Sequence, residues 1–308
     1  MRNTKLLGNL LLLGTAAIWG TAFVFQRVGM EDIEPLTFNA ARMALAAVAV
    51  GFVALLLGRR KKKQPSVRAS AEEAAYKKNT LIGGICCGLF LASASIFQQM
   101  GIVYTSAGKA GFITAMYMLL VPIIGAVFFK KKNTWLVWLA VAIGVVGMYL
   151  LCITERLSLT KGDALICVCA VLFSGHILCI DHFVQKGDPV RISAIQFATV
   201  TVISAVLAGI LEEPTTAKLI SAAVPILYCG LISGGVGYTL QIVAQKFTDP
   251  TIASLLMSLE SVFAVIAGAL ILGERMNLRE TLGCVILFTA IVLVQIPLPG
   301  KKEAAVKS

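Results

Sequence analysis

Charged residues are scarce in this chain. Only 14% of its 308 residues are Asp, Glu, Lys or Arg, whereas roughly a quarter of a soluble globular protein is charged. Hydrophobic residues make up 58% of the sequence. No soluble fold of this length has an interior large enough to bury so much apolar surface. We therefore expect a protein that lies within a lipid bilayer.

Sequence signs of an enzyme or a motor are missing as well. The chain has no G-x-x-x-x-G-K-[ST] phosphate loop, which excludes an ATP-driven unit of its own. The nearest approach to a metal cluster is "CVCAVLFSGHILCIDH" (167–182), and one straight helix cannot surround an ion alone. The eight cysteines lie in apolar runs, where cysteine behaves as a small hydrophobe. We predict no disulfide framework, no metal and no other cofactor.

Long apolar runs fill the rest of the sequence. A transmembrane helix needs about twenty mostly apolar residues, whereas the strands of a membrane barrel are about ten residues long. The first run is too long for a cleaved signal peptide, so we count it as a span. We predict an all-α membrane protein with ten transmembrane helices. The predicted spans are about 6–26, 35–57, 80–103, 106–129, 134–153, 162–181, 189–210, 218–245, 250–272 and 279–297.

The placement of Lys and Arg predicts the orientation. With both termini on one side, 19 of the 27 basic residues fall in segments on that side and seven on the other, while Arg42 lies within a span. Because short cytoplasmic loops collect basic residues, both termini are expected in the cytoplasm. The run "GRRKKKQPSVR" (58–68) is interpreted as a topology determinant and a contact for anionic lipid. It lacks the aromatic residues of a nucleic-acid site, so no nucleic acid is expected.

Two halves of the sequence resemble each other. "IEPLTFNAARMALAAV" (33–48) aligns with "GDPVRISAIQFATVTV" (187–202), which places Arg42 opposite Gln196. "GIVYTSAGKAGFI" (101–113) aligns in the same order with "AQKFTDPTIASLL" (244–256). These matches predict two repeats of five spans each.

A small-residue pattern occurs once in each predicted repeat. The third and eighth spans carry G-x-x-x-G, at Gly84 to Gly88 and Gly230 to Gly234. Such ridges let helix backbones approach closely in lipid. We expect both ridges at helix contacts.

Five spans per repeat reverse the second copy in the membrane. Inverted halves of this kind are common among secondary transporters. The predicted organisation is a first repeat at 1–153, an inverted second repeat at 154–300 and a cytoplasmic basic tail at 301–308.

Several segments resemble the EamA-type branch of the drug/metabolite transporter superfamily. The resemblance covers nearly the whole chain and is most specific at Trp19-Gly20 and at the "SLESV … LGE" pattern. It implies ten helices around a central cavity that moves small organic metabolites. Ser261 stands where this family often has proline, which predicts a less kinked ninth helix. The segments are "AAIWGTAFVFQ" (16–26), "PLTFNAARM" (35–43), "YTSAGKAGFITAMYMLLVPI" (104–123) and "TIASLLMSLESVFAVIAGALILGERM" (251–276).

Two charged residues lie inside predicted spans. Glu260 is nine residues from Thr251, about 13–14 Å along a helix that crosses roughly 30 Å of hydrocarbon. An acid at that depth is expected to be paired or protonated, as a solute contact, a proton site or a structural hydrogen-bonding group. Arg42 lies seven residues inside Pro35. It either extends outward to the interface or lines the cavity as an anion contact.

Five further residues complete the predicted binding site. Gln98, Gln241 and His176 suit a polar cavity wall, although each also suits a hydrogen bond between helices. Trp19 and Tyr117 lie within their spans rather than at the interface, which fits an aromatic wall or core packing.

The sequence therefore predicts a secondary or facilitative transporter of small organic solutes in the cytoplasmic membrane. Export of amino acids or related metabolites is what the resemblance implies. The predicted partners are the small-molecule solute and the lipid bilayer, and the sequence also allows a homodimer. A membrane-embedded lipid-modifying enzyme and a non-transporting membrane subunit are the alternatives.

Overall fold

The structure, a computed structural model, describes residues 2–62, 70–105, 107–152, 160–272 and 277–295. This part of the chain is helical and contains no strand. Its helices are α1 (Arg2–Gly29), α2 (Pro35–Lys62), α3 (Ser70–Ile102), α4 (Ala107–Ala115), α5 (Tyr117–Phe129), α6 (Trp135–Cys152), α7 (Lys161–Val184), α8 (Pro189–Leu211), α9 (Thr216–Ser221), α10 (Ala223–Leu227), a π-helix (Tyr228–Tyr238), α11 (Thr239–Gln245), α12 (Pro250–Met257), α13 (Glu260–Leu272) and α14 (Leu278–Gln295).

Eight of the predicted spans coincide with helical segments long and apolar enough to cross a bilayer, which confirms a multi-pass membrane protein. The fifth span coincides with a shorter apolar helix, Trp135–Leu150. The tenth coincides with α14. The repeat boundary at residue 153 and the predicted tail at 301–308 lie outside the described residues, as does most of the basic run 58–68.

Two spans in the part of the chain that the structure describes are interrupted helices. The fourth is divided between Ala115 and Tyr117, and the ninth between Met257 and Glu260. The ninth helix is thus interrupted although Ser261 stands in place of proline, and a weaker kink than in proline-bearing relatives stays a prediction. Serine hydroxyls bond to backbone carbonyls just before the break, as in Ser258 Oγ to Leu255 O at 2.7 Å. Such side-chain bonds compete with regular helix geometry.

The eighth span is assembled from α10, the π-helix and α11. The π-helix contains the glycines of "SGGVG" (233–237). Side chains of α1 donate to carbonyl groups of this π-helix, a kind of turn that is frequent at functional sites. Thr15 Oγ1 donates to the carbonyl of Gly237 at 3.3 Å.

Helix packing forms two three-span groups. In the α3 group, α3 packs between α7 and α8. In the α1 group, the eighth span packs between α1 and α2. The groups meet along α2 and α8, while α6 packs on α14. The interrupted fourth and ninth spans contact each other through α5 and α12.

Contacts between helix ends define two opposite faces of the bundle. On the Glu34 face, Lys218 bonds to Glu34 and thereby lowers the pKa of that carboxyl. On the Lys131 face, Lys131 pairs with Asp181 at 2.7 Å. The end of α1 and the start of α2 lie on the Glu34 face, whereas the end of α7 and the start of α8 lie on the Lys131 face.

Glycine ridges bring the helices of each group close together. A Cβ at Gly84 would lie 2.5 Å from Ile195 Cβ of α8, and one at Gly230 would lie 2.7 Å from the Arg42 carbonyl oxygen of α2. Neither position accepts a side chain without backbone movement. Both ridges are thus contact surfaces, as the sequence predicts.

Candidate functional site

A narrow cavity lies where the two helix groups meet the interrupted spans. About 30 Å³ is free for the centres of water-sized molecules, roughly twice what a single water needs. The cavity in this conformation therefore admits water but no organic solute. Its walls are formed by Trp19, Ala22, Phe23, Gln26, Arg42, Gln98, Thr114, Tyr117, Phe173, Ser233, Tyr238 and Glu260.

Arg42 turns into the cavity and not toward the interface. Its residue surface is only 3% exposed. Its Nε and Nη2 donate to Asn39 Oδ1 at 3.0 and 2.8 Å, and its Nη1 donates to Gln26 Oε1 at 3.0 Å. The outward-extending alternative is thus wrong, because neutral amides inside the bundle hold the guanidinium.

A second layer of hydrogen bonds fixes Asn39. Its Nδ2 donates to Ser95 Oγ at 3.1 Å and to Ser204 Oγ at 2.9 Å. One asparagine on α2 therefore joins α3 and α8 to the arginine. Its carbonyl oxygen must face Arg42, since both amide hydrogens are engaged.

The charge of Arg42 lacks an acidic partner. Among the described residues no ion pair includes it, and its hydrogen-bond acceptors are the amides of Asn39 and Gln26. A buried charge without a counter-charge is costly. The arrangement is suited to an anionic group that enters the cavity.

Glu260 and Tyr117 meet across the interrupted spans. Tyr117 is the first residue of α5 and Glu260 is the first of α13. The Tyr117 hydroxyl donates to Glu260 Oε1 at 2.9 Å, and both residues are at most 3% exposed. In the register that aligns 101–113 with 244–256, the two residues occupy the same position. Each half thus supplies one member of this hydrogen bond at its helix break.

The Trp19-Gly20 pair explains how α1 reaches this site. A Cβ at Gly20 would lie 2.5 Å from the carbonyl oxygen of Glu260, so glycine is required for α1 to pack against the start of α13. Trp19 Nε1 donates to the carbonyl of Ser233 in the π-helix at 3.3 Å. Its ring lies 4.6 Å from that of Tyr238.

The structure brings five of the seven predicted site residues together in the cavity wall. They are Trp19, Arg42, Gln98, Tyr117 and Glu260. His176 and Gln241 do not line it. His176 Nε2 lies 3.0 Å from Gln196 Oε1 in the closely packed interior beyond Phe173 and Tyr238.

Sequence reasoning missed several cavity residues. Gln26 of the cavity wall ends the segment quoted for the family resemblance, and Asn39, which holds Arg42 but does not line the wall, lies one helical turn before Arg42. That spacing was a usable signal, because residues three apart share a helix face. Ser233 and Tyr238 gave none, since their placement depends on the π-helix. In the ranges that the structure describes, no three His, Cys, Asp or Glu side chains are grouped to hold a metal ion.

Comparison with known proteins places this site in context. The profile of the EamA-like transporter family matches the chain twice, at residues 6–153 and 160–296. An uncharacterized transporter of Archaeoglobus fulgidus is 27% identical over 296 residues, covering 95% of this chain and 87% of that protein. The uncharacterized transporter YoaV of Bacillus subtilis is 22% identical, covering 92% of this chain and 94% of its own length.

A probable terminal-alkyne amino-acid exporter of Streptantibioticus cattleyicolor is also similar. It is 20% identical over 237 residues, which cover 74% of this chain and 72% of the exporter. One solved crystal structure shares the fold. It matches with a TM-score of 0.74 at 15% identity and covers 94% of this chain and 96% of its own.

Proposed function

The chain belongs to the EamA-like transporter family, and we propose that it exports amino acids or related small organic metabolites by alternating access. Transport is secondary or facilitative, and the carrier is a ten-helix bundle of two inverted repeats. The relatives described above are named as transporters or as an exporter.

One observation carries the choice of solute. Arg42 and Glu260 line the same cavity, each is 3% exposed, and each is held by neutral groups rather than by the other. An α-amino acid carries a carboxylate and an ammonium group that match these two side chains. The carboxylate would accept hydrogen bonds from Arg42, and the ammonium would donate to Glu260.

The size of the cavity supports a conformational cycle. With room for about two waters, the cavity must widen toward one face to admit a solute and toward the other to release it. The two helix groups supply units that can move against each other, since each is built around its own central span. Rocking or gating of one repeat or bundle against the other is the usual form of alternating access in inverted-repeat carriers, and each group here combines helices of both repeats.

Contacts at opposite faces support the inverted repeats. On the Glu34 face, Thr105 Oγ1 donates to Asp163 Oδ1 at 2.7 Å, which joins the turn after α3 to the start of the sixth span. On the Lys131 face, Thr248 Oγ1 donates to Asn9 Oδ1 at 3.4 Å, which joins the turn after α11 to the start of the first span. Thr105 and Thr248 are equivalent in the aligned segments.

The test is solute flux into proteoliposomes that contain the purified protein. The panel compares an α-amino acid with the matching carboxylic acid, which lacks the amine, and with the matching amine, which lacks the carboxylate. We expect the amino acid to move fastest, in both the presence and the absence of an imposed pH gradient. Equal flux of all three compounds would contradict recognition by Arg42 and Glu260, and no flux of any would contradict transport of this class.

The proposed orientation places the Lys131 face in the cytoplasm. Single cysteines at Lys131 and Glu212 test it with a membrane-impermeant thiol reagent. In intact cells we expect labelling at Glu212 and protection at Lys131 until lysis. The reverse result would invert the topology and leave the solute assignment unaffected.

A further inference from the structure

A second polar cluster lies between the cavity and the Lys131 face. It consists of His176 on α7, Ser193 and Gln196 on α8, and Gln241 and Gln245 on α11, and we call it the His176 cluster. All five residues are at most 1% exposed. Helix α11 packs on both α7 and α8, and the side chains of His176 and Gln196 meet across the space between α7 and α8, so the cluster lies among these three helices.

Specific contacts tie these residues to one place. His176 Nε2 lies 3.0 Å from Gln196 Oε1. Gln245 Nε2 donates to the carbonyl of Ile177, the residue after His176, at 3.0 Å. Ser193 lies one helical turn before Gln196 on α8, and Gln241 lies one helical turn before Gln245 on α11.

The hydrogen bonding of the His176 cluster is incomplete. Every member has one polar side-chain atom without a partner among the described residues. Five of the eight such buried atoms belong to this cluster, which is a concentration no other part of the described chain approaches. They are His176 Nδ1, Ser193 Oγ, Gln196 Nε2, Gln241 Oε1 and Gln245 Oε1.

Turning the Gln196 amide does not repair this deficit. If the Gln196 amide is reversed, its nitrogen meets His176, but its oxygen is then unpartnered, and His176 Nδ1 stays so. Buried polar atoms without partners are rare because each forfeits the hydrogen bonds it makes with water. Atoms of this kind in one location indicate groups that find their partners in another conformation.

The position of the cluster identifies that conformation. Gln196 is seven residues inside Pro189 of α8, just as Arg42 is seven residues inside Pro35 of α2. Arg42 therefore lies on the Glu34 side of the cavity, and Gln196 lies at the same depth from the Lys131 face. Only one aromatic layer separates the two sites, since Phe173 and Tyr238 line the cavity and also pack edge-on to His176, with ring centroids 6.4 and 6.0 Å away.

We propose that the His176 cluster is a second binding station for the solute, which becomes wet and accessible when the carrier opens toward the Lys131 face. Its five side chains include no Arg, Lys, Asp or Glu, so it binds through neutral hydrogen bonds. The carboxylate and ammonium groups of the solute would bind there together with their hydrating water, on the opposite side of the cavity from Arg42. The proposal rests on the alternating access argued above. It assigns a role in solute binding to His176 and Gln241, which do not line the cavity of this conformation.

The experiment measures the reactivity of Ser193→Cys, a substitution that hardly changes side-chain size. Val200→Cys is the matched control, because Val200 lies on the same helix and both residues are 0% exposed. Each variant, otherwise native, is reconstituted in liposomes and treated with a small hydrophilic methanethiosulfonate. Peptide mass spectrometry then reads modification at each site separately from that of the native cysteines.

We expect Ser193→Cys to react at least ~10-fold faster than Val200→Cys, because buried sites react only from the open fraction of the population. We also expect the amino acid that the wild-type protein transports fastest to slow the reaction at Ser193→Cys several-fold. Equal rates at the two cysteines would overturn the proposal. A fast reaction that the amino acid does not slow would overturn the binding role.

The same experiment separates this proposal from the function proposed above. If no amino acid moves in the flux panel, the proposed solute class fails by itself. The rate comparison needs no solute and still decides whether the cluster opens to water. If amino acids move but Ser193→Cys reacts no faster than Val200→Cys, the proposed function stands and the second station is wrong.

Discussion

Arg42 and Gln196 occupy matching positions in the two halves of the molecule but do different chemistry. Arg42 carries a charge into the cavity and is held by Asn39 and Gln26. Gln196 is neutral, is closed off from the cavity and bonds to His176. The two halves thus differ at matching positions. In the carrier proposed above, Arg42 would present a charge that selects the solute on one side, whereas Gln196 has no charge that would retain it on the other.

The scaffold beneath these two residues is shared. A Cβ at Gly230 would lie 2.7 Å from the carbonyl oxygen of Arg42, and one at Gly88 would lie 3.0 Å from the carbonyl oxygen of Gln196. In each packing group a glycine of the central span therefore lets the helix with the key residue, which belongs to the other half, approach at backbone distance. The glycine contacts are alike in the two halves, whereas the polar residues that they position differ.

The largest effect is expected from making the first half resemble the second. Arg42→Gln replaces the charge by the residue found at the matching position. Hydrogen bonds to a charged group contribute about 1.5–3 kcal/mol, so we expect amino-acid flux to fall roughly 10- to 100-fold. Flux in proteoliposomes measures this, with detergent-extracted protein run on a sizing column to confirm that the fold is kept.

Arg27→Gln is the matched control for loss of positive charge. Arg27 is exposed, and among the described residues its side chain donates to the backbone carbonyl of Ile102, at 3.0 Å. We expect amino-acid flux through the Arg27→Gln variant to stay close to that of the wild-type protein. If both arginine variants transport equally well, the charge of Arg42 does not select the solute.

The second prediction concerns Glu260, which shares its hydrogen bond with Tyr117 across the halves. Glu260→Gln keeps the shape and the contact at 2.9 Å but removes the group that can load and release a proton. We expect the variant to fold and to exchange solute, and we expect an imposed pH gradient no longer to accelerate uptake. Tyr117→Phe, which removes the hydroxyl and leaves the acid, should keep gradient dependence at a lower rate.

Flux through Glu260→Gln with the gradient on and off is the deciding measurement. Acceleration equal to that of wild type would exclude a proton site at Glu260 and leave it as a structural acid or an ammonium contact. Loss of acceleration in Tyr117→Phe alone would assign the proton step to the tyrosine instead.

The sequence was sufficient to predict the features that depend on composition and local pattern. The apolar runs located the membrane spans, and the spacing of Gly84, Gly88, Gly230 and Gly234 located the ridges. A single carboxylate in the ninth span marked the cavity, because an acid at that depth needs a polar neighbour.

Features that depend on packing between distant segments were not predictable. The break before Glu260 has no proline, and the π-helix has no sequence signal beyond its glycines. The separation of His176 from the cavity arises from the aromatic layer of Phe173 and Tyr238, whose members come from different spans. Only the assembled bundle shows which polar residues face each other.

The third prediction tests the shared scaffold. Gly84→Leu and Gly230→Leu place a side chain where a Cβ alone would lie 2.5 Å from Ile195 and 2.7 Å from the Arg42 carbonyl. Overpacking of this kind costs about 1–3 kcal/mol or more, so both variants should lose thermal stability and flux. The melting temperature in detergent measures the first effect, and proteoliposomes measure the second.

Two other glycines provide the controls. A Cβ at Gly51 of α2 or at Gly209 of α8 would have no neighbour within 4 Å among the described residues. Gly51→Leu and Gly209→Leu should therefore change neither stability nor flux appreciably. If all four variants behave alike, the ridges are not contact surfaces and the common packing of the halves is wrong.

The smallest effect is expected from a cross-link inside one helix group. Cys87 of α3 and Cys179 of α7 lie with their sulfur atoms 3.5 Å apart, and both are free thiols. If the α3 group moves as a unit during transport, a disulfide between these residues ties together helices that never separate. Mild oxidation should therefore form the bond and leave amino-acid flux within about twofold of the reduced protein, since a cross-link alters an equilibrium only if it favours one state.

Cys87→Ser, treated with the same oxidant, shows any effect of other thiols. A large loss of flux that appears in the native chain, is absent in Cys87→Ser and reverses with a reductant would mean that α3 and α7 move apart. The rigid unit would then be smaller than the group defined by packing, and the motion would have to occur inside the α3 group, between a helix of the first half and one of the second, as well as between the two groups.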